Sequence, residues 1–143
     1  MLITEILKSK GDLVFTISPD EKVADAVALL DQRRVGALVV LSAKDRVVGI
    51  FSERDVVRTV ARDGAAGLSH AVEAVMTRDV IFAEQGETVD SLLSRMTDRR
   101  IRHLPVCEGG RLVGLVSIGD LVKSKIAETM AEAQSLKQYI AAG

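Results

Sequence analysis

Apolar residues recur along this chain with two different periods, and the change from one to the other marks its elements. Residues 13–17 (L-V-F-T-I) are rich in β-branched and aromatic side chains and predict a strand. Ser18-Pro19-Asp20-Glu21 reads as a turn and helix start, with Ser18 or Asp20 as the cap. Val23, Ala26, Val27 and Leu30 then fall at i, i+3, i+4 and i+7, one stripe of a helix that Arg33 and Arg34 close at its negative end. Residues 36–41 (G-A-L-V-V-L) predict a buried strand, Ala43-Lys44-Asp45 a turn and residues 46–51 the next strand. A helix follows Ser52 to about Asp63, and Gly64-Ala65-Ala66-Gly67 reads as a linker. Residues 1–12 predict a short helix or arm ending at Gly11.

The same order then returns. Residues 70–76 predict a short helix, residues 80–82 a strand, and Val89, Leu92, Leu93 and Met96 a helical stripe closed by Arg99 and Arg100. Residues 101–107 read as a strand, Glu108-Gly109-Gly110 as a hairpin turn, and residues 111–116 as a strand running into a helix at Ser117. At an offset of 66, Glu21/Glu87, Val23/Val89, Arg33/Arg99, Arg34/Arg100, Leu38/Leu104 and Val40/Val106 coincide. After the turn loses one residue, Arg46/Arg111, Val48/Val113, Gly49/Gly114, Ser52/Ser117, Asp55/Asp120 and Val57/Val122 coincide at an offset of 65. Unrelated sequence of that length would share roughly two identities, so the chain is a tandem repeat whose copies bury their faces together. Each copy reads β-α-β-β-α, an α/β (α+β) architecture divided at 1–66 and 67–143. In the last helix the apolar positions Ile126, Met130, Ala133, Leu136 and Ile140 continue beyond what one copy needs, so this face is expected to meet a partner chain.

The most informative stretch is V-G-L-V-S-I-G-D-L-V (113–122), with its counterpart V-G-I-F-S-E-R-D-V-V (48–57). Each is a short strand that ends in a serine N-cap with an aspartate three residues on. The first turn of such a helix leaves N–H groups at the positive end of its dipole, a place that suits an anion. The nearby carboxylate can accept two hydrogen bonds from a vicinal diol such as a ribose. S-x-x-D is equally a plain capping box; its duplication after a glycine-containing strand favours the binding role.

Composition narrows the alternatives. Of 143 residues 48% are hydrophobic and only 3% aromatic, so the core must be aliphatic. Nineteen basic and 20 acidic side chains leave a net charge of −1, which provides no bulk field for nucleic acid or a membrane surface. No apolar run approaches the ~20 residues of a membrane helix. The N-terminus M-L-I-T-E-I-L-K shows no cleavage-site pattern, and the single Cys107 cannot form an internal disulfide. These features predict a cytoplasmic protein. Cys107 reads as a small buried hydrophobe, since no His/Cys cluster for a metal accompanies it.

The tandem β-α-β-β-α pair resembles the CBS domain pair, the Bateman module named after cystathionine β-synthase. T-I-S-P-D-E-K-V-A-D-A, R-R-V-G-A-L-V-V and G-I-F-S-E-R-D-V-V carry the likeness in the first half. V-M-T-R-D-V, R-R-I-R-H-L-P-V and G-L-V-S-I-G-D-L-V carry it in the second. The resemblance implies a regulatory module that holds AMP, ADP, ATP, NAD or S-adenosylmethionine in clefts between the repeats. It assigns Ser117 and Asp120 to one cleft and Ser52 and Asp55 to the other, with the aspartates on ribose hydroxyls. Arg102 and His103 match its phosphate-contacting pair. The first half has Gly36 and Ala37 there, a departure that Arg54 could offset from the helix start. Thr16, Ile17 and Ser18 are implied to line the cleft of Ser117 and Asp120, and Ile81, Phe82 and Ala83 the other. Pro105 and Val116, and Ala37 and Phe51, complete the implied site.

Two function classes follow. One is a homodimeric adenosine-nucleotide sensor in which the ligand biases the packing of the repeats. The other is a ligand-free interaction module that docks an enzyme or transporter through the face at 126–140. An enzyme is not expected: neither half offers a base–nucleophile pair or metal-ligand spacing, and no catalytic cofactor is implied.

Overall fold

A computed structural model describes residues 2–10 and 14–142, apart from the side chains of residues 9 and 10. The elements follow in chain order as α1 (Ile3–Lys10), β1 (Thr16–Ile17), α2 (Val23–Arg33), β2 (Ala37–Leu41), β3 (Val47–Ser52) and α3 (Glu53–Asp63). A 3₁₀ turn at Gly64–Ser69 leads to α4 (Val72–Val75), β4 (Ala83–Glu84), α5 (Val89–Arg99), β5 (His103–Glu108), β6 (Arg111–Ser117) and α6 (Ile118–Ala142). The mixed α/β architecture and the twofold β-α-β-β-α order are those that the sequence predicts.

The chain forms two compact units, Leu13–Ile81 and Met1–Asp12 with Phe82–Gly143. In the first, β1 runs parallel to β2, and β2 antiparallel to β3. Val23, Ala26 and Leu30 of α2 are buried against Leu38, Val40 and Phe51, with Val72 and Met76 closing the same core. In the second, β4, β5 and β6 repeat the order and directions. Val89, Leu92 and Met96 of α5 are buried there, with Leu104, Val106 and Val116 of the sheet. The helix stripes thus bury the positions that their period marks. Both α2 and α5 end on an arginine in the left-handed region, Arg34 at φ 53° and Arg100 at φ 54°. One residue earlier, the Arg33 guanidinium lies 5.0 Å from the centre of the Phe15 ring.

This division differs from a cut at 66/67 for a reason visible in the backbone. In the Leu13–Ile81 unit, the Val72 N–H donates to the Glu21 carbonyl at 2.7 Å and the Val23 N–H to the His70 carbonyl at 2.9 Å. In the other unit, the Ile3 N–H donates to the Glu87 carbonyl at 3.0 Å, and Ile3, Ile6 and Leu7 of α1 are buried. Glu21 and Glu87 are repeat equivalents, so each repeat's leading segment packs in the unit built around the other. Repeat equivalents Gly49 and Gly114 lie beneath these segments. A Cβ on Gly49 would stand 2.5 Å from Met76 Sδ and 2.9 Å from the Thr77 carbonyl oxygen. One on Gly114 would stand 2.6 Å from Leu7 Cδ2. Both strands therefore carry glycine where another segment crosses close above them.

Other local expectations shift. α2 begins after Lys22, which makes no side-chain cap bond; the Ser18 hydroxyl instead donates to the Asp20 carboxylate. The strand expected at 80–82 is at Ala83–Glu84, because pairing with β5 sets the boundary and Ala83 lies opposite Val106. That expected at 13–17 pairs at Thr16–Ile17; Gly11 and Leu13 lie outside the described residues. The expected linker at 64–67 is part of the 3₁₀ turn.

Candidate functional site

Each unit ends its sheet in the same junction. In the second, β5 and β6 place His103 opposite Ser117 and Leu104 opposite Val116. The first N–H of α6, that of Ile118, donates to the Arg102 carbonyl at 2.8 Å. The Ser117 N–H donates to Asp120 Oδ2 at 2.9 Å, and the Asp120 N–H to Ser117 Oγ at 3.1 Å. These reciprocal bonds form a capping box. The junction therefore brings Ser117, Asp120, Arg102 and His103 together at one helix start. Asp120, Ser117 and His103 are half-buried, while Arg102 is exposed.

The other junction has the same backbone and different chemistry. Ala37 pairs with Ser52, and the Glu53 N–H donates to the Gly36 carbonyl at 3.1 Å. Gly36 and Ala37 thus occupy the places of Arg102 and His103. The Asp55 carboxylate accepts from the Ser52 N–H at 2.9 Å and from the Ser52 hydroxyl at 3.2 Å. It accepts a further bond at 3.2 Å from the hydroxyl of Thr77. Thr77 is held there by two backbone bonds with Ile50, both 2.9 Å. Asp55 is only 3% exposed. Its carboxylate is therefore a buried, multiply bonded anchor, whereas Asp120 is half-buried. Arg54 is exposed on the first turn of α3.

Several implied site residues belong to the interior. Phe51 and Val116 are equivalent positions and fully buried, and Ala37 is 2% exposed; Pro105 is buried too. In the Leu13–Ile81 unit, Ile17 lies in the core, Thr16 and Ser18 are exposed and Ile81 is half-buried. Phe82 is 40% exposed, and its carbonyl accepts from Arg95 Nη1 at 3.0 Å.

Two groups went unread in the sequence. Thr77 lies 22 positions from Asp55, and only the fold joins them. The other is an ion pair between α5 and the residues before it, where Arg95 binds the Glu87 carboxylate with both terminal guanidinium nitrogens. The Arg95 hydrogen bond holds the Glu87 carboxyl below its ordinary value, although burial opposes it. Among the described residues no group of three or more His, Cys, Asp or Glu side chains could hold a metal ion. Among the described residues no helix is long and apolar enough to cross a membrane.

Known proteins share this architecture. A mitochondrial CBS domain-containing protein of Arabidopsis thaliana is 36% identical over 99% of this chain and 72% of its own length. The crystal structure of a CBS-domain containing protein from Agrobacterium tumefaciens superposes with a TM-score of 0.85 at 43% identity, covering 87% of this chain and 92% of that one. A CBS domain protein from Pyrobaculum aerophilum, solved in complex with AMP, superposes with a TM-score of 0.75 at 25% identity, covering 84% and 89% of the two chains. The CBS domain model itself matches twice, at residues 11–62 and 72–127, one match for each copy of the repeat. The chain, with one such strand–helix junction in each copy of its repeat, thus belongs to the CBS domain family.

Proposed function

We propose that this chain is a regulatory module that binds an adenosine nucleotide, with the junction of Ser117 and Asp120 as its principal site. The observation that carries the reading is the company Asp120 keeps. A half-buried carboxylate at a helix start lies beside Ser117, Arg102 and His103. The carboxylate would accept both hydroxyls of a ribose. Arg102, with His103 and the helix N-terminus, would take phosphate, and an Arg–phosphate pair is charge-assisted and bidentate. The AMP complex of the Pyrobaculum protein supports this ligand class. AMP, ADP, ATP and NAD share the sugar that Asp120 would read. The Asp55 junction is the weaker candidate, because its carboxylate is buried and bonded to Thr77 and no basic pair stands at Gly36 and Ala37. A ligand that favours one packing of a homodimer would convert its concentration into a signal without chemistry at the site.

Titration calorimetry with AMP, ADP, ATP and NAD tests the reading. At least one should bind, and Asp120→Ala should weaken it tenfold or more, about 1.4 kcal/mol. An unchanged affinity in that variant would refute the assignment of the site. The absence of heat and thermal shift with all four at millimolar concentration would refute the function. A second reading, a ligand-free docking module, is favoured by the exposed apolar side chains of α6.

A further inference from the structure

α6 extends well beyond the body that it starts from. Leu121 is buried, and Lys125 Nζ lies 3.0 Å from Asp90 Oδ1 on α5. From Thr129 to Ala142 every residue is exposed, about 21 Å of helix at 1.5 Å per residue. A lone helix of that length is marginal in water. Its sequence supplies a seam. Val122, Ile126, Thr129, Ala133, Leu136 and Ile140 follow one another at alternating steps of four and three, the period of a coiled coil. Four of them are large apolar side chains left in solvent: Val122 at 43% exposure, Ile126 at 54%, Leu136 at 59% and Ile140 at 67%.

The charges beside the seam select both occupant and direction. Glu132 and Lys137 flank its C-terminal half. In a parallel, in-register pair of α6 helices, Glu132 of each copy faces Lys137 of the other, twice by symmetry. An antiparallel pair with the seam fully overlapped would set Glu132 against Glu132, and Lys123 against Lys137. We infer that α6 is the interface of a parallel homodimer in which residues 122–140 of two copies zip together. This rests on the homodimer part of the function proposed above and is independent of which ligand binds.

Sedimentation of the full chain across about 1–100 µM should show a concentration-dependent dimer. Leu136→Glu with Ile140→Glu should leave a folded monomer, since both positions are exposed, with helicity lost only in the stretch 129–142 that no longer has a partner helix. Lys137→Glu should weaken the dimer at least tenfold, and adding Glu132→Lys should restore it. Under mild oxidation Ile140→Cys should form a disulfide-linked dimer that the parent chain, with its buried Cys107, does not. A monomeric parent chain, a dimer indifferent to the Leu136/Ile140 pair of changes, or an Ile140→Cys variant that fails to cross-link would each overturn the inference. A monomer that still binds AMP would remove this interface and leave the nucleotide reading in place.

Discussion

Asp55 and Asp120 occupy equivalent places in the repeat, yet replacing them should have unequal consequences. Asp55→Ala removes the carboxylate that accepts the Ser52 N–H at 2.9 Å, an N-terminal helix contact worth about 1 kcal/mol. It also removes the acceptor of the Thr77 hydroxyl at 3.2 Å. A hydrogen bond to a charged group contributes about 1.5 kcal/mol, and this one is on the long side. The variant should therefore lose about 2–3 kcal/mol. At about 2.1 cal/mol/K per residue, a chain of 143 residues has an unfolding entropy of roughly 0.3 kcal/mol/K. The midpoint should fall by about 7–10 °C. Asp120→Ala, at a half-buried position, removes the acceptor of the Ser117 N–H at 2.9 Å and should cost about 1 kcal/mol for that cap, or about 3 °C. Thermal melts followed by circular dichroism would compare the two directly. Combining Asp55→Ala with Thr77→Val should give less than the sum of the single effects, with about 1 kcal/mol of coupling. Equal losses for the two aspartates, or strict additivity with Thr77, would refute the claim that the Asp55 carboxylate is an internal anchor.

The two glycines beneath the crossing segments should also differ. Gly49→Ala places its methyl 2.9 Å from a carbonyl oxygen of the backbone and should destabilise by about 1–3 kcal/mol in urea unfolding; the nearest atoms that Gly114→Ala meets belong to the flexible Leu7 side chain, and it should cost less. The depressed Glu87 carboxyl makes the Arg95 pair a pH-dependent stabiliser, present above the ordinary glutamate range and lost as pH falls through the lowered value. The stability difference between the parent and Arg95→Met should thus be full at pH 7 and shrink in acid; a difference independent of pH would exclude the pair. Burial, and secondarily the charge of Glu84, raises the Cys107 thiol above its ordinary value. Cys107 should react with a thiol reagent at pH 8 many times more slowly in the folded chain than in urea, and equal rates would show it accessible.

Much of this was legible in the sequence because the signals were local and occurred twice. The stripe Val23-Ala26-Leu30 and its copy Val89-Leu92-Met96 each mark a buried helix face without help from the rest of the chain. The Ser117–Asp120 box is likewise written within four residues. Properties set by distant partners were not legible. The short edge strands β1 and β4 are only the two residues that pair with β2 and with β5, so their bounds follow the pairing and not their own composition. Ser18 and Asp20 looked like caps, but they bond to each other, and α2 starts further on, where the return of residues 70–72 fixes the backbone. Asp55 and Asp120 read alike in sequence, and nothing local to Asp55 announces Thr77, which reaches it by way of its strand-like pairing with Ile50.

The reciprocal lending of leading segments bears on how such a chain could arise and how it can be cut. A half-length ancestor would carry its own clasp on the wrong side and would need a second molecule to lend one, so its folding would depend on protein concentration. Joining two copies end to end makes that loan intramolecular, at an effective concentration in the millimolar range for a short connection. Halves split at 66/67 and expressed separately should accordingly be poor folders apart and regain structure only when mixed.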